Sequence, residues 1–145
     1  HQLKKELNTR DLFHKNIISD YYFIKSLIFA EITLPEDEFT LYKKLFHIIH
    51  QKLPQPDLLI YLYSDVERLQ KNISKRGRDY ESHITDDYLK KIHKGYFNFF
   101  NQQNTFPVLV LNLTNIDFVE QKEDFMKILV SLGKTYEKGV HRINY

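Results

Sequence analysis

The segment Lys75-Arg76-Gly77-Arg78-Asp79-Tyr80-Glu81 carries the densest chemistry in the chain. Its first four residues supply three cations around one glycine. Guanidinium groups bind phosphate oxygens through paired N–H donors, and they neutralise the charge that develops as a phosphoryl group is transferred. The glycine lets the backbone turn closely, and Glu81 is a candidate acceptor for a hydroxyl. The same residues also read as a solvated loop behind a helix-capping glycine. A second candidate is Asp20, which closes the short apolar run Asn16-Ile17-Ile18-Ser19. An acid at the carboxyl end of a buried parallel strand stands where open α/β sheets bind ligands, and it suits magnesium. Its plainer reading is the N-cap of the next helix. Tyr21, Tyr22 and Phe23 follow directly, and aromatics beside such an acid suit a nucleoside pocket.

Other patterns lead to bland readings. Gly133-Lys134-Thr135 matches the end of the phosphate-cradling motif G-x-x-x-x-G-K-[ST], but position 128, where glycine is required, is Ile128. The residues before Gly133 read as a helix, so Gly133 is expected to cap it. His47 and His50 stand i, i+3, a spacing that suits one metal, yet no third ligand is near. The aromatics between Tyr88 and Phe100 recur at helical spacing and are expected to pack in the core.

The elements that must position these residues alternate between helix and strand. Helices are expected over about 1–13, 21–34, 36–53, 66–75, 85–100 and 121–132. Strands are expected over 16–20, 58–63 and 106–113. Leu58 to Tyr63 is apolar throughout, which fits a central parallel strand covered on both faces. Pro35 with Glu36-Asp37-Glu38 starts one helix, the acids favouring the positive end of its dipole. Ser64 or Asp65 caps another. Strands alternating with long helices mean an α/β fold with a parallel sheet. The strand, glycine loop and helix that normally open such a domain are not recognisable. The chain begins at His1, already inside an expected helix, as if cut from something longer.

Composition sets the outer bounds. The chain has 145 residues, 42% hydrophobic and 28% charged, which suits one globular domain and excludes fibrous or largely disordered classes. With no cysteine there is no disulfide framework and no thiolate metal site, and a cytoplasmic setting is expected. No apolar run reaches the roughly 18 residues of a membrane helix. The formal charge of +2 is too small to argue for nucleic acid, so neither nucleic acid nor membrane is expected as a partner.

In order and spacing, several segments resemble the bacterial deoxyadenosine/deoxyguanosine kinases of the deoxynucleoside kinase family, which are P-loop kinases. Ile18-Ser19-Asp20-Tyr21-Tyr22 through Lys25 to Ala30 resembles the family's strand-end acidic motif and its helix. Leu53-Pro54-Gln55-Pro56-Asp57 through Leu62 resembles its "LPxPDLxxYL" strand. Arg76-Gly77-Arg78 with Glu81, Ile84 and Tyr88-Leu89 resembles its lid, at about 75–82. Asn115-Ile116-Asp117-Phe118 resembles its late adenine-side loop.

The resemblance implies roles. Arg76 and Arg78 match lid arginines that grip the donor phosphates and the transferred phosphoryl. Glu81 matches the glutamate that reads the sugar 3′-hydroxyl. Asp20 matches the acid associated with magnesium and the active-site charge network. Tyr21 stands where many relatives carry arginine, and Lys25 is the candidate to replace that charge. Asn115, Asp117 and Phe118 match the loop beside the ATP adenine, while Asn72 replaces an adenine-stacking arginine of some relatives. The family's P-loop and general base lie upstream of the position matching His1. Residues 1–145 then form a partial kinase domain, inactive alone, with ATP and Mg2+ as cofactors and a homodimer as its assembly. The implied reaction is 5′-phosphorylation of a purine deoxynucleoside in salvage. A thymidylate-type monophosphate kinase and a non-catalytic nucleotide-binding domain are the competing readings. A fusion behind a hydroxymethyl-dihydropterin pyrophosphokinase, known for this module, stays open.

Overall fold

The computed structural model describes residues 17–145. The helix expected over 1–13 lies outside the described residues. The chain divides into two compact units, one through Pro54 and one from Gln55 to Tyr145.

The first unit holds two helices, α1 (Ile24–Thr33) and α2 (Glu36–His50). Pro35 precedes α2, and three acids fill its first turn, where the dipole favours them. Ile24, Ile28 and Ala30 of α1 are buried, as is Phe46 of α2. Phe23 stacks on Phe46 at 4.8 Å between ring centroids. Another face of α2 leaves Leu41, Leu45 and Ile48 exposed at i, i+4, i+7.

The strand expected over 16–20 is corrected for residues 17–20. They form no strand, and Ile18 is 98% exposed. The cause is local. The Ser19 hydroxyl donates to the Tyr21 carbonyl at 2.8 Å and accepts from the Tyr21 N–H at 3.3 Å. Such side-chain bonds offer the backbone an alternative to a ladder. A short apolar run has no periodicity strong enough to resist it.

The second unit is a three-stranded parallel sheet with helices. In chain order it holds β1 (Leu59–Tyr63), α3 (Val66–Arg76), a short 3-10 turn (Asp79–Glu81), α4 (Asp86–Gln102), β2 (Pro107–Asn112), α5 (Lys122–Leu132) and β3 (Gly139–Asn144). The strand order is β1-β2-β3, with Leu59 opposite Val108 and Pro107 opposite Gly139. β2 is therefore the central strand. Val108, Leu109 and Leu111 are fully buried, and a core forms from Leu109, Leu111, Leu113, Ile116 and Ile128.

β1 does not hold the central place its sequence suggests. Among the described residues it forms one edge, and burial alternates along it. Ile60 is 39% and Leu62 53% exposed, while Tyr61 and Tyr63 face α4. An apolar run has a covered second face only if another layer lies over it, and within residues 55–145 Ile60 and Leu62 stay exposed. β3 went unpredicted, because only Val140 and Ile143 mark it as apolar. The aromatics of α4 pack as expected. Tyr61 lies 4.7 Å from Tyr96 and 5.2 Å from Phe100, ring to ring. Gly133 does cap α5.

His93 of α4 sits in this aromatic seam, its Nδ1 3.0 Å from the Tyr61 hydroxyl. Its Nε2 is buried without a full hydrogen bond. Burial lowers the His93 pKa, and the nearby Ser64 backbone opposes this more weakly. The unfolded chain therefore takes up the proton first as pH falls. The stability due to neutral His93 is complete above the ordinary histidine value near 6.5 and is lost as pH falls through the lowered folded value. Urea unfolding at pH 7.5 and 5.5 should show a loss of stability in acid that is smaller in His93→Gln. Equal losses in both proteins would remove His93 as its source.

Candidate functional site

The loop expected as the lid grows from the end of α3. Asp65 caps the start of that helix, accepting from the Arg68 N–H at 2.7 Å. Gly77 ends it in the left-handed region, φ 61°, with its N–H directed to the carbonyls of Ile73 and Ser74. A side chain with a Cβ is strained there, so the glycine sets the turn. The 3-10 turn follows, held by the Glu81 N–H on the Arg78 carbonyl at 2.9 Å. This brings residues 76, 78 and 81 together.

Arg76 Nη1 donates to Glu81 Oε1 at 3.3 Å, and Arg78 Nη1 donates to the same oxygen at 3.2 Å. The two arginine side chains are 50% and 52% exposed, against 10% for the glutamate. A buried carboxylate thus holds two half-exposed cations at one oxygen. Its other oxygen, Oε2, is buried and makes no hydrogen bond. A buried acceptor left unpaired costs about 1–3 kcal/mol, so Oε2 is primed for a donor. Arg78 Nη1 also donates to the Tyr80 hydroxyl at 3.0 Å. Tyr80 first, and then Glu81, hold the Arg78 guanidinium more firmly protonated.

The other site residues predicted from sequence occupy different settings. Asp20 stands exposed in a bend, not at the end of a buried strand. It does not cap α1 either, since the cap residue is Phe23 and no side chain caps that helix. Tyr21 is exposed, whereas Tyr22 is half-buried with its hydroxyl 3.3 Å from His50 Nε2. Phe23 is taken up by Phe46. The Lys25 ammonium lies 5.5 Å over the Phe29 ring. Among the described residues no group of three histidines, aspartates or glutamates is placed to hold a metal. Magnesium is commonly bound through one or two carboxylates plus substrate phosphates, and the exposed Asp20 carboxylate fits that limited share.

In the late loop, Asn115 is exposed and Ile116 is buried. The Asp117 carboxylate accepts from the N–H groups of Val119 and Glu120, each at 3.2 Å. It also lies 3.7 Å from Arg68 Nη2. That carboxylate braces the turn, and Phe118 is left on the surface. The loop follows the carboxyl end of β2, where the Thr114 hydroxyl accepts from the Asp65 N–H at 3.0 Å. Parallel sheets place ligands at this edge. α3 therefore meets the late loop at Arg68 and the lid at Arg76, eight residues or roughly 12 Å along its axis.

Three residues organise this region through partners that no sequence motif marks. Arg68 ties α3 to the late loop, Tyr80 anchors Arg78, and Gln70 bonds across to the far end of the lid. Each is a polar residue on an exposed-looking stretch, and only the tertiary arrangement reveals its partner.

The family model described as Deoxynucleoside kinase matches residues 1–136. A deoxyguanosine kinase of Bacillus subtilis is 36% identical over 135 residues, covering 88% of this chain and 65% of that protein. A deoxyadenosine kinase of Lactobacillus acidophilus is 29% identical over 134 residues, covering 83% of this chain and 62% of its own length. A deoxyadenosine/deoxycytidine kinase of Bacillus subtilis is 29% identical over 99 residues, covering 67% and 46%. The chain thus spans less than two thirds of each of these relatives.

Proposed function

The chain belongs to the deoxynucleoside kinase family, and we propose that it is the lid-bearing part of an enzyme that phosphorylates deoxynucleosides at the 5′-hydroxyl for salvage. The observation that carries this reading is the Arg76–Glu81–Arg78 cluster. Phosphoryl transfer needs positioning and charge neutralisation more than covalent help from the protein. Two half-exposed guanidiniums fixed on one oxygen serve the second need, gripping donor and transferred phosphoryl oxygens. The unpaired Oε2 of Glu81 serves the first, as acceptor for the sugar 3′-hydroxyl. A carboxylate in that place would repel an acceptor phosphate, which weighs against a monophosphate kinase.

ATP would supply the phosphoryl group, and Mg2+ would offset the charge on its phosphates. Asp20 would contribute a carboxylate to the ion, with Tyr21 and Lys25 beside it on the substrate side. Asn115, Asp117 and Phe118 would border the adenine, Asp117 by shaping the loop. The names of the relatives favour a purine deoxynucleoside. The phosphate cradle and general base are assigned to a segment preceding these residues in a longer protein. The open edge of β1, with Ile60 and Leu62 uncovered, supports a further strand there. The exposed stripe Leu41, Leu45, Ile48 supports a two-fold homodimer through α2. We place the enzyme in the cytoplasm; no helix among the described residues is long and apolar enough to cross a membrane.

The test is a phosphoryl-transfer assay on two proteins, the 145-residue chain and the product of the same reading frame extended upstream. Each receives ATP-magnesium and the deoxynucleosides in turn. The extended protein is expected to turn over a purine deoxynucleoside and the short chain to be inert. Failure of both would return Arg76, Arg78 and Glu81 to a solvated loop.

A further inference from the structure

We propose that Gln70 is the positioning residue of the lid and sets where Glu81 stands. This rests on the reading of Glu81 as the carboxylate that meets the acceptor sugar. Gln70 lies on α3, and its Nε2 donates to the Ile84 carbonyl at 2.9 Å and to Asp86 Oδ1 at 2.9 Å. Both amide hydrogens are thereby used. Ile84 is near the end of the lid loop, and Asp86 is the first residue of α4. The Ile84 N–H in turn donates to the Glu81 carbonyl at 3.1 Å. Gln70 therefore reaches the Glu81 backbone in two hydrogen bonds.

Glu81 is also held by its own N–H on the Arg78 carbonyl and by Arg76 and Arg78 on its carboxylate, whereas Gln70 acts on the far end of the loop. Gly77 fixes its first end by closing α3, and Thr85 caps α4 at the other by accepting from the Tyr88 N–H at 3.2 Å. Between the loop and α3 lies a cavity of about 360 Å3, lined by Gln70, Ile73, Gly77, Arg78 and Glu81 among others. Arg76, the last residue of α3, reaches the Glu81 carboxylate, and Gln70 makes the pair that ties α3 to the Ile84 carbonyl and to Asp86 of α4. Without that pair the Ile84 carbonyl and the Asp86 carboxylate each lose a partner, and the end of the loop that bonds to Glu81 is no longer tied to α3 through Gln70.

The test uses the longer kinase that carries this chain, with Gln70→Leu and Gln70→Glu. Leucine keeps helix propensity and bulk but removes both donors. Glutamate sets acceptors against the Ile84 carbonyl and the Asp86 carboxylate. In Gln70→Leu the KM for the deoxynucleoside is expected to rise about tenfold, the scale of one to two net hydrogen bonds. Gln70→Glu should raise it further, with kcat little changed in both. In a Glu81→Ala background Gln70→Leu should add nothing, because it acts through Glu81. Hydrogen exchange without substrate should quicken at the amides of Glu81, Ser82 and Ile84. Additive effects, an unchanged KM, or a lowered Tm with KM unchanged would overturn the proposal. If the parent enzyme phosphorylates no deoxynucleoside, the reading of Glu81 fails instead. Unchanged exchange at those amides would then still dismiss Gln70 as the tether, and quickened exchange would retain it.

Discussion

Replacing Arg78 with alanine should lower kcat for deoxynucleoside phosphorylation about a thousandfold in the longer kinase, the low end of what a charge-stabilising arginine contributes to phosphoryl transfer. The deoxynucleoside KM should change little, because the acceptor oxygen assigned to the sugar is Glu81 Oε2, not the oxygen Arg78 occupies. Folding stability should also change little. Arg78 is half exposed, and solvent screens such ion pairs so that they add little to stability. Lysine should not restore the rate, since it offers a point charge in place of a planar fork. Arg76→Ala should resemble Arg78→Ala, and the double variant should lose less than the product of the two, because both cations share Glu81 Oε1. Steady-state kinetics on purified variants decides the matter. A kcat for Arg78→Ala within about threefold of the parent would remove Arg78 from phosphoryl transfer, since an arginine in that role contributes far more.

The second large effect concerns stability. Phe100 is only 1% exposed and packs against Tyr61, Tyr96, Phe97 and Phe99, joining α4 to β1. Phe100→Ala should cost about 4 kcal/mol, the usual sum of lost transfer energy and residual cavity. A domain's whole stability is about 5–15 kcal/mol. The variant should therefore unfold at much lower urea, or fail to accumulate folded. Leu62→Ala on the same sheet should shift unfolding by less than about 1 kcal/mol, because Leu62 is already half in water. Equilibrium urea titrations of the two variants give the comparison, and similar losses would mean that the seam between α4 and β1 is no tighter than the open face.

The contrast between Phe100 and Leu62 shows what could be read from the chain and what could not. Helical spacing from Tyr88 to Phe100 was enough to place those aromatics in a core, because a helix face is a local property. The apolar run from Leu58 to Tyr63 identified a strand, yet whether its second face is covered depends on a layer elsewhere. β3 escaped notice because two apolar residues, Val140 and Ile143, leave little pattern to detect. Residues 17–20 went the other way, since the Ser19 hydroxyl bends a run that looked like a strand. In the site, charge spacing alone brought out Arg76, Arg78 and Glu81. The depth of Glu81, the sharing of one oxygen and the reach of Gln70 arise from how the loop folds over α3. Asp117 was legible as a loop residue, but its bonds to the Val119 and Glu120 amides emerge only in three dimensions.

The bare side of β1 has a bearing on solubility. Leu59-Ile60-Tyr61-Leu62-Tyr63 is uncharged and unbroken, and its outer backbone N–H and C=O groups have no ladder partner among the described residues. A strand of that composition is a template onto which another chain can add by main-chain bonding. Natural sequences restrain such templates with flanking prolines and charges. Here Pro54, Pro56 and Asp57 stand before the strand and Asp65 behind it, while nothing within it resists growth. Among the described residues, restraint of intermolecular sheet at this edge is left to the flanks.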